Sequence, residues 1–479
     1  MQTRKRRISA VTKTEKLRAL PSVDFILKDE EVTALKDSNT LVQITTWVRT
    51  AVQHCREQIL ENPDAFDGPP ARWIIDRVVR ESKSDLGQRL QPVINATGVI
   101  LHTNLGRSPM SEHAIAAATR ASRYTNVELN LESGRRSKRG ERLMTLLTQL
   151  TGAEDALVVN NCAAATVLVL QAIAAGREVI VSRGQLVEIG GGFRLPDVFR
   201  AAGVTLREVG TTNRTYLRDY ETAVNDETGA VIRVHRSNFH LSGFVTEPSI
   251  EELVQMHRPP SVAVIDDLGS GSMLDLAPYG LQEPNVLDSI RCGADISLFS
   301  GDKLFGGPQA GILVGKTTWI EKLRRSPIMR AMRVDKLTLA ALEATTEVHL
   351  AGNALTELPT LRMITTTAET IHQRCQSLLM QIDQPAAMSV VPCESQVGGG
   401  SIPGSSLPSY ALKISAHAPH HFAQHLRNGA FSIQARVSDE AVIIDLRTVA
   451  DQELIDLAAG INAAICDTQD SKYRETSSE

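Results

Sequence analysis

The chain has 479 residues, 42% hydrophobic and 22% charged, with a formal net charge of -4. That length holds two or three domains with a sizeable core, and the composition excludes a disordered, collagenous or disulfide-scaffold protein. So small a net charge points to no particular partner.

The charge is unevenly placed. The first twenty residues, MQTRKRRISAVTKTEKLRAL, carry seven Lys/Arg and one acid, Glu15. Such an arm suits phosphate, although a solvated terminus reads the same way. No apolar h-region follows it, and no run is long enough to span a bilayer. An Arg-rich organellar presequence is the minor alternative. Cys55, Cys162, Cys292, Cys375, Cys393 and Cys466 show no zinc-ligand or redox spacing. They read as reduced thiols of a cytoplasmic protein, and no metal site is expected.

Residues 1–90 read as a helical region behind the basic arm, with NTLVQITTWVRTAVQHCREQILE placing apolar residues at helical spacing. ENPDAFDGPP marks a turn between helices. From residue 91 to 330, the segments DALVVN, EVIVS, VTLREVG, AVIRVH, SVAVIDD, DISLFS and AGILVG alternate with helical ones. This predicts a large α/β domain with a mostly parallel sheet and helices on both faces. Residues 331–465 read as a smaller α+β domain with YALKIS and AVIIDLRTV as strands, and 466–479 as a disordered polar tail.

Ligands in such sheets bind beyond the carboxyl ends of the strands, where most of the notable residues fall. Gly315-Lys316-Thr317 mimics the end of a phosphate-binding loop, but the span before it is an apolar strand, so it reads as structural. FSGDKLFGGPQAGI places Lys303 in a glycine-rich loop directly after a strand. A solvated surface lysine is the ordinary reading; a working amine that condenses with a carbonyl is the sharper one. Upstream, Asp266 and Asp267 end the strand SVAVIDD.

In pyridoxal phosphate enzymes of the aspartate-aminotransferase fold, a strand-end Asp pairs with the pyridine nitrogen and a later lysine forms the Schiff base. At an effective dielectric of about 20, opposite charges about 4 Å apart attract by roughly 4 kcal/mol, enough for one Asp to set the ring's protonation. Asp267, next to the Leu268-Gly269-Ser270 turn, is the preferred candidate; Asp266 reads equally as a turn cap. Asn161, Cys162, Ala163 and Ala164, at a strand-to-helix joint, offer small residues and backbone N–H groups for a phosphate. Arg135, Arg136, Arg139 and Arg142 form one basic run. Arg330 and Arg333 form another, spaced to share a helical face. By spacing alone both runs read as solvated faces, and Thr211 and Thr212 as an ordinary turn.

LPSVDFIL, INATGVILHTNLGRSPM, VEIGGGFRLPDV, EVGTTNRT, VIDDLGSGS, SLFSGDKLFGGPQAGI, RAMRVDKLTLAALEAT and SQVGGGSIPG occur in this order from about residue 20 to about residue 450. Together they resemble the bacterial L-seryl-tRNA(Sec) selenium transferases, or selenocysteine synthases. The resemblance implies PLP-dependent fold type I and conversion of seryl-tRNA(Sec) and selenophosphate to selenocysteinyl-tRNA(Sec) through a cofactor-bound aminoacrylyl-tRNA. It implies pyridoxal 5'-phosphate on Lys303, with Asp302 as a further catalytic residue and Thr211 and Thr212 at cofactor positions. It also implies a selenophosphate pocket from Arg139, Arg330 and Arg333, with Arg136 the fallback for the first. The N-terminal helical region would bind tRNA, in a homo-oligomeric ring of dimers whose sites sit at subunit interfaces. Three departures stand out: the longer basic start, His235-Arg236 in VHRSNFHLSGF, and Gln185 where Glu is expected, which leaves open what stacks on the ring.

Under this reading Lys303 removes the seryl Cα proton and, carrying it, serves as the acid for the departing hydroxyl. Arg447 has no free carboxylate to bind and reads as structural or as a contact to the RNA end. Two alternatives compete: a pyridoxal phosphate lyase on a small amino acid or amino sugar acid, and a non-catalytic RNA-binding scaffold.

Overall fold

The computed structural model describes residues 13–62, 69–402 and 404–476. The first twelve residues of the expected basic arm, the middle of the ENPDAFDGPP turn and the last three residues of the expected tail lie outside them. The chain divides into two compact units, Met1–Pro92 and Val93–Glu479.

The first unit is helical, as the apolar spacing predicts. Helix Leu41–Glu61 starts at Thr40, whose hydroxyl caps the backbone of Gln43 while the Gln43 side chain caps Thr40 in return. Ile44, Val48, Ala51, Cys55 and Ile59 form its buried stripe. This stripe shares a core with Ile74, Ile75 and Val78 of helix Pro70–Gln88. The Asn39 amide donates to Ser82 Oγ at 2.9 Å and Arg89 to the Ser38 carbonyl at 2.8 Å, tying the start of one helix to the end of the other.

The second unit opens with β1 (Ile94–Ala96) and β2 (Val99–Leu101). Then come β3 (Asp155–Val159), β4 (Glu178–Ser182), the short hairpin β5 (Glu188–Ile189) and β6 (Phe193–Arg194), and β7 (Thr205–Val209). β8 (Thr228–Val234), β9 (Ala263–Gly269), β10 (Ile296–Ser300) and β11 (Gly311–Gly315) follow. β12 (Met388–Gly398), β13 (Ser406–Ile414), β14 (Ile433–Ser438) and β15 (Ala441–Asp445) end the series.

All seven strands expected between 91 and 330 assemble into one sheet, in the order β3-β11-β10-β9-β8-β4-β7. Only β11 runs antiparallel to its neighbours. Continuous apolar runs build the central strands, and helices such as Cys162–Ala174 and Glu141–Thr151 cover them with Leu168, Val169, Leu143 and Leu147.

The second sheet has the order β1-β14-β15-β13-β12-β2. Its outer strands correct the domain boundary drawn at residue 91: β1 and β2 precede the large sheet in sequence but belong to the small one. β1 pairs with β14, and β2 with β12, both parallel. The turn between β1 and β2 passes directly over Asp445. Gly98 has φ +77°, and a Cβ there would lie 2.1 Å from Asp445 Oδ2, so glycine is required. The final helix, Leu454–Thr476, runs on through the segment expected to be a disordered tail from 466. Its Leu457, Ala458, Ile461 and Ala464 pack into the small-sheet core and anchor that continuation.

Candidate active site

Three strand ends of the large sheet converge on one cavity of about 280 Å³. β9 delivers Asp267, β10 is followed by Lys303, and β3 leads into Asn161 and helix Cys162–Ala174. Lys303 is buried, and its Nζ donates to the Gly400 carbonyl at 2.9 Å. Burial favours the neutral amine and lowers its proton affinity, and the nearby Arg107 guanidinium adds to this. A buried lysine with a lowered proton affinity has the chemistry to serve as a nucleophile or base.

The two adjacent aspartates have different partners. Asp266 points to the other side of β9, where Arg233 holds it at 2.7 and 2.8 Å and Ser289 Oγ donates at 2.5 Å. It is a satisfied structural ion pair. Asp267 faces the cavity, accepting from Thr166 Oγ1 at 3.3 Å and the Gly269 amide at 3.2 Å. Burial pushes its carboxyl up to about 6, against the pull of Lys303. Among the described residues it has no ion-pair partner, so it is a carboxylate awaiting a cation.

Asn161 caps the helix, its Oδ1 accepting from the Ala164 amide at 2.8 Å. Cys162 and Ala163 line the cavity directly. The Cys162 thiol is pushed well up by burial and is not a thiolate. Asp302, next to the lysine in sequence, is held by other partners. Arg107 donates to it at 2.9 and 3.2 Å, and Ser300 Oγ at 2.6 Å.

Sequence reasoning quoted the stretch around Arg107 without assigning that residue, yet it lines the cavity. The signal was the adjacent Gly106: Arg107 has φ +67°, a conformation unusual for a non-glycine residue, and its pairing with Asp302 holds it there. Gln185, expected near the ring, is diverted. Its Oε1 accepts the Val234 amide at 3.0 Å, and Val187, Ile189, Phe193 and Leu195 supply that wall instead.

Thr211 and Thr212 lie on an exposed turn after β7 and do not line this cavity. Arg136, Arg139 and Arg333 gather elsewhere around Glu128, at 2.8, 3.7 and 3.9 Å, beside a separate cavity of about 600 Å³. Arg139 also donates to the Val334 carbonyl at 2.7 Å. Arg330 is exposed. The expectation that Arg330 and Arg333 share a helical face is corrected: Arg330 ends the 3-10 turn Pro327–Arg330, and Arg333 lies beyond it in extended chain. Arg447 is structural, buried and donating to the carbonyls of Met363, Thr366 and Pro408 at 2.6, 2.8 and 2.6 Å. Lys316 pairs with Asp295 at 2.7 Å, which disposes of the apparent phosphate loop.

A buried amine and a buried carboxylate without an ion-pair partner among the described residues, facing one cavity beside a helix N-terminus, match the needs of pyridoxal phosphate: a carbonyl partner, a pyridinium partner and a phosphate cradle. Residues 93–450 match the family model of L-seryl-tRNA selenium transferases. The chain belongs to that family.

The L-seryl-tRNA(Sec) selenium transferase of Alkaliphilus metalliredigens is 44% identical over 454 residues, covering 92% of this chain and 96% of that protein. The one from Solidesulfovibrio magneticus is 43% identical over 464 residues, covering 94% and 98%. Among solved structures, D-glucosaminate-6-phosphate ammonia-lyase superposes with a TM-score of 0.55 at 22% identity, covering 80% of this chain and 97% of that one, which shows a common fold. The chain is thus a PLP-dependent enzyme of fold type I.

Proposed function

We propose that this chain converts L-seryl-tRNA(Sec) and selenophosphate to L-selenocysteinyl-tRNA(Sec), with Lys303 and Asp267 at the centre of the reaction. The juxtaposition of these two buried groups on one cavity carries the reading, and the family match supports it. Bound pyridoxal phosphate supplies the electron sink that makes the seryl Cα–H acidic and lets the β-hydroxyl depart.

The residues divide the remaining work. Lys303, whose proton affinity burial lowers, is the base at Cα. Asp267 keeps the proton on the pyridine nitrogen, and Cys162, Ala163 and Ala164 present the helix start to the phosphate. Asp302, locked by Arg107 and Ser300, positions the loop that carries Lys303. The apolar wall of Val187, Ile189, Phe193 and Leu195 keeps water from the reacting carbon.

Thr211, Thr212, Arg139, Arg330 and Arg333 do not line this cavity, so we assign them to a site completed by a neighbouring copy. There the threonines contact cofactor and the arginines hold anionic selenophosphate beside the electrophile. A homo-oligomer built from dimers follows from that assignment. The helical first unit is assigned to tRNA, and the work to the cytoplasm. Among the described residues, no helix is long and apolar enough to cross a membrane.

Incubating the purified protein with seryl-tRNA(Sec) and selenophosphate and identifying the aminoacyl product tests the reading. Selenocysteinyl-tRNA(Sec) is expected. Turnover of free serine, or of another small amino acid, without tRNA would overturn it in favour of a lyase.

A further inference from the structure

His235 sits one residue past β8, its amide donating to the Asp267 carbonyl at 2.8 Å. His235 lines two cavities, the one holding Lys303 and another of about 430 Å³. Its Nε2 lies 3.4 Å from Glu283 Oε2, whose residue lines the second cavity. Glu283 has a side chain with 0% exposure, and among the described residues it has no lysine or arginine partner. The nearby arginines are committed elsewhere: Arg233 to Asp266, and Arg236 to Glu247 at 2.6 Å. Among the described residues, Glu283 Oε2 accepts the Ile402 amide, at 3.3 Å. His235 Nε2 and Glu283 Oε1 are both buried with no hydrogen-bond partner at contact distance.

Buried polar atoms without partners are rare, and such atoms at an active cavity call for an account. A carboxylate behind an imidazole fixes which ring nitrogen carries the proton and stabilises the imidazolium. The charged and titratable residues that line these cavities with His235 are Arg107, Cys162, Asp267 and Lys303 in the first, and Arg233, Arg236, His240, Glu247 and Glu283 in the second.

We propose that His235, oriented by Glu283, is the acid that protonates the departing seryl hydroxyl, leaving Lys303 to work at Cα alone. This inference rests on the selenium-transfer reading. Lys303 takes the Cα proton, and the Cβ–O bond breaks with its electron pair on oxygen. The imidazolium gives its proton to that oxygen, water leaves, and the neutral imidazole regains a proton from solvent. Glu283 is a positioning residue acting through His235.

Holoenzyme is incubated with seryl-tRNA(Sec) in heavy water without selenium donor. Deuterium at the seryl Cα and loss of the hydroxyl are then followed separately. His235→Asn and His235→Gln are expected to retain Cα exchange within about threefold while hydroxyl loss falls by about 100-fold or more, the range of general acid catalysis. Glu283→Leu is expected to show the same split, and Glu283→Gln to recover part of the loss.

A readout independent of turnover comes from cofactor-free protein labelled at imidazole nitrogen. Nε2 of His235 should carry the proton in the native protein and lose that preference in Glu283→Leu. Exchange and elimination falling together in both histidine variants, neither changing, or an unaltered tautomer would each overturn the proposal. Wild-type protein showing neither exchange nor elimination would instead remove the selenium-transfer reading, and this inference with it.

Discussion

Lys303 and Gly400 fit together only because position 400 lacks a side chain. The lysine amine donates to the Gly400 carbonyl at 2.9 Å, and a Cβ on Gly400 would come within 2.7 Å of both Cε and Nζ. Gly400 also has φ +91°, a backbone conformation that side chains rarely adopt. The glycine loop between β12 and β13 therefore presses directly on the reactive nitrogen.

Gly400→Ala is expected to displace the amine rather than unfold the protein. Cofactor capture by borohydride reduction should fall at least tenfold, with the thermal midpoint changed by only a few degrees. Full capture at the native rate would show that the loop does not set the position of the lysine.

Lys303→Ala should abolish covalent cofactor capture altogether. After borohydride treatment and denaturation, the wild type retains the coenzyme on the peptide containing residue 303 and the variant retains none. Trapping on another lysine would refute the assignment.

Asp267 makes the cofactor-free protein sensitive to pH. Its carboxyl titrates at about 6 when folded and at about 3.9 when unfolded, so the folded state holds the extra proton between these values. Stability contributed by the protonated form is present below about pH 4 and is lost as pH rises through about 6, a total of about 3 kcal/mol. In urea unfolding without cofactor, Asp267→Asn should match the native protein near pH 4 and exceed it by up to this amount at pH 7. Its affinity for pyridoxal phosphate should fall. A cofactor-free stability profile parallel to the wild type would count against the buried, unpaired carboxylate.

Arg330→Ala and Arg333→Ala are expected to leave cofactor absorbance intact while raising the selenophosphate concentration needed for half-maximal turnover at least tenfold. Both residues are largely exposed, so stability should scarcely change. Unchanged donor kinetics would leave these arginines to another anion or to the subunit interface.

Arg447→Met should act on the fold alone. Three carbonyls lose their donor, at roughly 1 kcal/mol or more each, while the desolvation penalty of the guanidinium is relieved. A net loss of roughly 2 kcal/mol in denaturant unfolding, with unchanged activity per folded molecule, is the expected outcome.

Local pattern alone located all seven strands of the large sheet, because six are short runs rich in apolar residues and the edge strand β7 falls in step with them between turn residues. It also put Lys303, Asp267 and the Asn161 joint at strand ends, where a parallel sheet gathers its ligands. The four strands of the small sheet that it missed are different in kind, as is the short hairpin of β5 and β6. β1 and β2 are three residues each, β12 is exposed or half-buried over most of its length, and β14 alternates buried and half-buried positions, so none shows a long apolar run.

What only the tertiary structure decided are the pairings between distant parts of the chain. Arg107 meets Asp302 across 195 residues, and Gly400 meets Lys303 across 97. Asp266 and Asp267, adjacent and chemically identical, take separate roles because successive strand residues face opposite sides of the sheet, one toward Arg233 and one toward the cavity. Arg136, Arg139 and Arg333 meet at Glu128 instead of at the lysine. Periodicity reports which face of an element is buried, but only the packed chain determines which side chains meet there.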